Sequence, residues 1–121
     1  MAKFAKILIM IVRLVAVVSI ILGALLAAGK AQAVLGAHIG LGFMVALVVL
    51  MLAILAFVKK KTVLGILGVV FAILLPVTGL RQIPLQTGGG IDIEQVAHII
   101  VVLLTLGIAE SIHAAIRKSE L

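Results

Sequence analysis

Residues 34–58 read VLGAHIGLGFMVALVVLMLAILAFV and stop at Lys59-Lys60-Lys61. This run of 25 residues holds one ionisable side chain, His38. A hydrocarbon core about 30 Å thick takes about 20 apolar residues of helix. The run is therefore long enough to cross a bilayer as one helix. Three further stretches share its character: residues 7–28, residues 62–80 ending at Arg81, and residues 93–116 ending at Arg117-Lys118. Ten-residue alternation of apolar and polar positions is absent, and four strands cannot close a barrel, so the spans are expected to be helices. The expected fold is all-α: an integral membrane four-helix bundle, up-down-up-down, forming a single transmembrane domain over residues 1–121.

Composition leads to the same place. Of 121 residues, 65% are hydrophobic and 12% charged, and the mean hydropathy is +1.50. Soluble domains hold roughly 45–50% and about 25%. A chain this short cannot hide so much apolar surface in a core of its own, so the excess must face lipid. That excludes a water-soluble enzyme. The absence of cysteine excludes disulfides, thiolate metal sites and iron–sulfur clusters.

The net charge of +6 is first an orientation signal. With the N-terminus inside, Lys3, Lys6, Arg13, Lys59, Lys60, Lys61, Arg117 and Lys118 fall on the cytoplasmic side, and only Lys30 and Arg81 on the outer side. Eight against two predicts cytoplasmic N- and C-termini in a cell inner (plasma) membrane. Nucleic acid is not an expected partner, because the basic residues sit at helix ends without an aromatic platform.

Lys3 and Lys6 precede the first span and Ala31-Gln32-Ala33 imitates a cleavage site, but the apolar stretch is longer than the h-region of a signal peptide. It is expected to be a retained span. Gly36 and Gly40 form a small-xxx-small pair that permits close helix approach. Pro76 is expected to kink the third span. Gln82 to Gly90 reads as an outer loop, and Asp92 as the N-cap of the fourth helix, with Gln95 completing a capping box.

Ionisable residues inside a membrane are the strongest functional signal such a chain offers. His38 lies four residues into the second span and His98 five into the fourth. Both spans start at the outer face, which puts the imidazoles about 6 and about 7.5 Å below their helix ends. Two level histidines on parallel helices are what axial ligation of one haem iron needs. Gly42, four residues after His38 on the same helix face, leaves room for a porphyrin edge. Beyond His98 the face continues through Val101, Val102, Thr105 and Ala109, all small or β-branched. Arg81 and Lys30 are the cations available to haem propionates. Two other readings of the pair stand beside this one: interhelical hydrogen bonding or proton relay, and histidines resting in the interface.

His113 lies about 22 Å from His98 along the helix axis, with no second histidine at its depth. A second bis-histidine haem is therefore not expected. Arg13 and Glu110 lie at matching depths on the first and last spans. A buried ion pair is the expectation, with a proton or quinone site of Arg13, Glu110 and His113 as its functional alternative.

Ala37-His38-Ile39-Gly40-Leu41-Gly42 and Val96-Ala97-His98 resemble the histidine segments of four-helix membrane cytochromes b, including the bacterial diheme family and the half-bundles of haem A synthase. The resemblance covers these two short stretches. It implies haem b held by histidines near helix ends. A diheme member needs four histidine ligands and this chain has three histidines, so one haem b is implied. Haem A synthase associates a Glu-xx-His motif with catalysis. Glu110-Ser111-Ile112-His113 has that spacing at the opposite end of the last span, so catalysis does not transfer. The small multidrug transporters are similar in length and span count, but their membrane glutamate stands where this chain has Arg13, and this chain has no Trp or Tyr.

The sequence thus leads to the expectation of a membrane haem b protein acting in electron transfer, with His38 and His98 as iron ligands and Gly42 and Arg81 at the cofactor. Its partners would be the bilayer, a quinone or redox protein, and a homo-oligomer or larger membrane complex. The alternative is a cofactor-free structural or assembly subunit, packed through Gly36, Gly40, Gly65 and Gly68.

Overall fold

A computed structural model describes residues 1–28, 34–81 and 93–121. Four helices account for nearly all of them: α1 (Ala2–Ala27), α2 (Leu35–Val58), α3 (Thr62–Leu80) and α4 (Ile93–Ser119). Each is long and apolar enough to cross a membrane. The expected N-cap at Asp92, the Gln82 to Gly90 loop, Lys30 and the Ala31-Gln32-Ala33 segment lie outside the described residues.

α1 begins at Ala2, ahead of the apolar run, and carries Lys3 and Lys6 in its first two turns. A helix need not stop where lipid stops, because basic side chains can extend to the interface from its end. α2 ends in a Schellman turn: the Lys61 N–H donates to the Ala56 carbonyl (2.8 Å) and the Lys60 N–H to the Phe57 carbonyl (2.9 Å). Lys60 takes φ 61°, the left-handed conformation that glycine adopts without strain. α3 runs unbroken through Pro76, whose missing N–H removes one hydrogen bond to Ala72.

Large apolar side chains point outward from every helix. Leu14 is 69% exposed, Val63 71% and Leu103 62%. In water such a surface would aggregate, whereas in lipid it is the expected exterior. The interior is tight and lies mainly toward one end. Ile9 and Val12 of α1, Val49 and Leu52 of α2, and Ile112 and Ile116 of α4 are almost fully buried there. α3 fits against this core through glycine. A Cβ on Gly68 would lie 2.8 Å from the Ala53 Cβ, and one on Gly65 2.9 Å from the Phe57 ring. Helices approach closely where a side chain is missing, and this is how membrane helices gain dispersion contacts.

Gly36 and Gly40 play no such part. A Cβ at either would meet nothing within 4 Å, so within the chain this motif brings no helix close. The helix rotation that packs Val45, Val49 and Leu52 inward leaves the two glycines on the outside.

Packing relaxes toward the other end. Among the described residues, none of α2 before Val45 and none of α4 before Thr105 is buried. His38 and His98 both lie in this looser half.

Candidate functional site: a histidine pair between α2 and α4

His38 and His98 come together. Their ring centroids are 6.5 Å apart and the ring planes are near perpendicular, at 81°. Each imidazole is held by a residue of a neighbouring helix that the sequence reading did not single out.

The Nδ1 of His38 lies 2.8 Å from the Ser19 carbonyl oxygen of α1 and 3.2 Å from the Ser19 hydroxyl. A carbonyl only accepts, so Nδ1 carries the proton. On the other side, Nδ1 of His98 lies 3.0 Å from Oγ1 of Thr78 on α3. That hydroxyl donates its own proton to the Leu74 carbonyl at 2.8 Å, with Leu75 at 3.2 Å. With its proton so placed, it accepts from Nδ1–H of His98. In that arrangement both rings carry N–H at Nδ1 and the lone pair at Nε2. A neutral imidazole whose Nδ1–H is fixed by an oxygen is the usual form of a metal-binding histidine.

Glycines seat both rings. A Cβ on Gly23 of α1 would stand 3.0 Å from Cε1 of His38, and a Cβ on Gly79 of α3 would stand 3.1 Å from Cε1 of His98. The two halves of the site resemble each other: His38 against Ser19 and Gly23, His98 against Thr78 and Gly79. Ser19 is buried and both histidines are half-buried.

Gly42 lies one turn inward of His38, where a Cβ would meet nothing within 4 Å. Thr105 and Ala109, further along the α4 face, are buried in the core below the pair. The guanidinium of Arg81 donates to the Glu94 carboxylate at 3.0 Å, joining the end of α3 to the start of α4 on the histidine side of the bundle. Arg81 is itself largely exposed.

The second cluster forms, but not as a buried pair. The Nε and NH2 nitrogens of Arg13 donate to the two oxygens of Glu110 at 2.7 and 2.8 Å, a bidentate fork. Their side chains are 55% and 45% exposed. Val12, Ala109 and Ile112 fill the interior of the α1–α4 seam, which turns the charged residues next to them outward. His113 is within electrostatic reach of the pair and remains distant in sequence and depth from the histidine pair.

Among the described residues no group of three or more His, Cys, Asp or Glu side chains could hold a metal ion. The His38–His98 pair by itself offers two imidazole nitrogens and no further protein ligand of these types among the described residues. Compared with known proteins, the chain matches no family model, no curated protein and no solved structure.

Proposed function

We infer that the protein is a membrane cytochrome holding one haem b between α2 and α4, with His38 and His98 as axial ligands, and that it carries electrons. The 6.5 Å between the imidazole centroids carries this reading. Two metal–nitrogen bonds of about 2 Å each, plus the ring radii, give roughly 6 Å. The Nδ1 hydrogen bonds to Ser19 and Thr78 leave Nε2 of each ring for the iron. The absence of buried residues in α2 before Val45 and in α4 before Thr105 supports room for a flat ligand, as does the open space at Gly42.

Bound there and held by His38 and His98, haem b would supply one-electron chemistry. The residues have defined tasks. Ser19 and Thr78 fix the ring tautomers and orient the imidazoles. Gly23 and Gly79 let the rings lie against α1 and α3. Arg81, at the same end as the pair, is the cation for a propionate and would exchange or share Glu94. In this reading the bundle runs up-down-up-down in a plasma membrane, with both termini cytoplasmic by the distribution of basic residues. The pair then lies toward the outer face, and the electron partner is a quinone or another redox protein, within a homo-oligomer or larger membrane complex.

A second reading is favoured by the same hydrogen bonds: a cofactor-free subunit in which the histidines tie α1 to α2 and α3 to α4. Expression with ample haem separates the two. The haem reading predicts red protein with a Soret band and a sharp reduced α-band, lost in His38→Ala and in His98→Ala and kept in His113→Ala. Colourless wild-type protein would leave the cofactor-free subunit standing.

A further inference from the structure

The half-exposed Arg13–Glu110 pair is out of place on a lipid-facing surface. Charged groups within a span ordinarily face the bundle interior or a hydrated cavity, because bare exposure to hydrocarbon is costly. Arg13 and Glu110 are held together in the good geometry of a bidentate fork, yet about half of each side chain faces away from the protein. What covers them is indicated by their neighbours.

Lys6 lies seven residues before Arg13 on the same face of α1, and Arg117 seven residues after Glu110 on the same face of α4. Both are exposed. His113 stands between these levels, within electrostatic reach of Lys6, Arg13, Glu110 and Arg117. The α1–α4 seam therefore carries a polar stripe about 10 Å long, from Lys6 and Arg117 inward to the Arg13–Glu110 fork. It has three permanent positive charges against one negative. Beyond the stripe the same two faces turn wholly apolar, with Val17 57% and Leu103 62% exposed. A cationic foot under an apolar wall matches an amphiphile with an anionic head.

We propose that the α1–α4 seam is a binding site for an anionic phospholipid. Its headgroup phosphate is held by Lys6, His113 and Arg117 above the Arg13–Glu110 fork, and its acyl chain lies along Val17 and Leu103. The surplus cations neutralise the phosphate, and the headgroup drawn inward hydrates and covers the fork. Basic residues between transmembrane helices recognise lipid headgroups in this manner. The inference rests on the helices spanning a membrane and is independent of haem.

The test uses the full chain, purified in neutral detergent and titrated with phosphatidylglycerol or phosphatidylcholine under native mass spectrometry. Wild-type protein should retain phosphatidylglycerol at least tenfold better than phosphatidylcholine. Lys6→Gln with Arg117→Gln should lose that preference, since two basic residues at an anionic surface are worth about tenfold to thirtyfold in binding. Lys6→Arg with Arg117→Lys should keep it. So should Lys60→Gln with Lys61→Gln, which removes equal charge from the α2–α3 turn. Unchanged thermal melting of each variant establishes that it is folded. Equal retention of the two lipids by wild type would overturn the proposal, as would equal loss in the Lys60/Lys61 variant. Displacement of phosphatidylglycerol by millimolar inorganic phosphate would reassign the seam to free anions. A lipid-free wild-type dimer that separates on losing Lys6 and Arg117 would make it an interface between copies instead.

Discussion

Adding one methyl group at Gly23 should dislodge His38. The new Cβ would stand 3.0 Å from Cε1 of the imidazole, 3.5 Å from Nε2 and 3.6 Å from Nδ1. Ordinary carbon–carbon contact is about 3.5–4.0 Å, so the ring must retreat by roughly 0.5–1 Å. The His38–Ser19 hydrogen bond, now 2.8 Å, would then stretch to roughly 3.3–3.8 Å and be lost. Interhelical hydrogen bonds in membrane bundles are worth about 0.6 kcal/mol on average and up to about 1.7. Overpacking adds about 1–3 kcal/mol, and alanine in a helix returns about 0.5–1. Gly23→Ala is expected to destabilise the bundle by about 1–3 kcal/mol and to weaken haem retention. Gly42→Ala is the counterpart. With nothing within 4 Å of its Cβ, it should stabilise the haem-free bundle by up to about 1 kcal/mol while still hindering a porphyrin edge. Unfolding by SDS titration in mixed micelles, followed by circular dichroism with and without haem, measures both effects. Gly23→Ala as stable as wild type, with unaltered His38 ring resonances by NMR, would refute this geometry of the pair.

Other variants probe separate parts of the account. Lys60→Gly should raise the melting temperature, because glycine relieves the left-handed strain at φ 61°, worth about 1 kcal/mol. Glu110→Gln should lower it more than the double variant Arg13→Gln with Glu110→Gln, since the single change strands a guanidinium within a span; equal melting of the two would mean the fork is not coupled. Acid titration should release the clamp at Glu120. Its carboxylate bonds to Lys59 at 3.0 Å and accepts the Ala2 N–H at 2.7 Å, and chiefly the Lys59 bond holds it below the ordinary carboxylate range. A carboxylate so lowered stabilises the fold above its ordinary value of about 4.3. The contribution is lost as pH falls through the lower value of the folded chain. Glu120→Gln should therefore melt below wild type at pH 6 and converge with it in acid.

The four helices were legible in the sequence because apolar length is a one-dimensional property. Charged breaks at Lys59-Lys60-Lys61 and Arg81 interrupt it plainly. Depth was legible for the same reason: rise per residue placed His38 level with His98 and Arg13 level with Glu110. What depth omits is the angle about each helix axis. That angle sends Gly36 and Gly40 to open space while the isolated Gly23 and Gly79 receive the imidazoles. It also turns the Arg13–Glu110 fork outward rather than into the core. Ser19 and Thr78 could have been picked out as hydroxyls in apolar helices at the depth of the histidines. Their pairing, at separations of 19 and 20 residues, depends on which helices adjoin, and composition does not carry that.

The central claim is one iron between two imidazoles whose planes cross at 81°. Electron paramagnetic resonance of the oxidised, haem-loaded protein tests it most directly. The account predicts one low-spin ferric centre per chain with the strongly anisotropic signal of near-perpendicular axial histidines, absent from both His38→Ala and His98→Ala. A high-spin signal, or no stoichiometric haem after haem-replete expression, would contradict it.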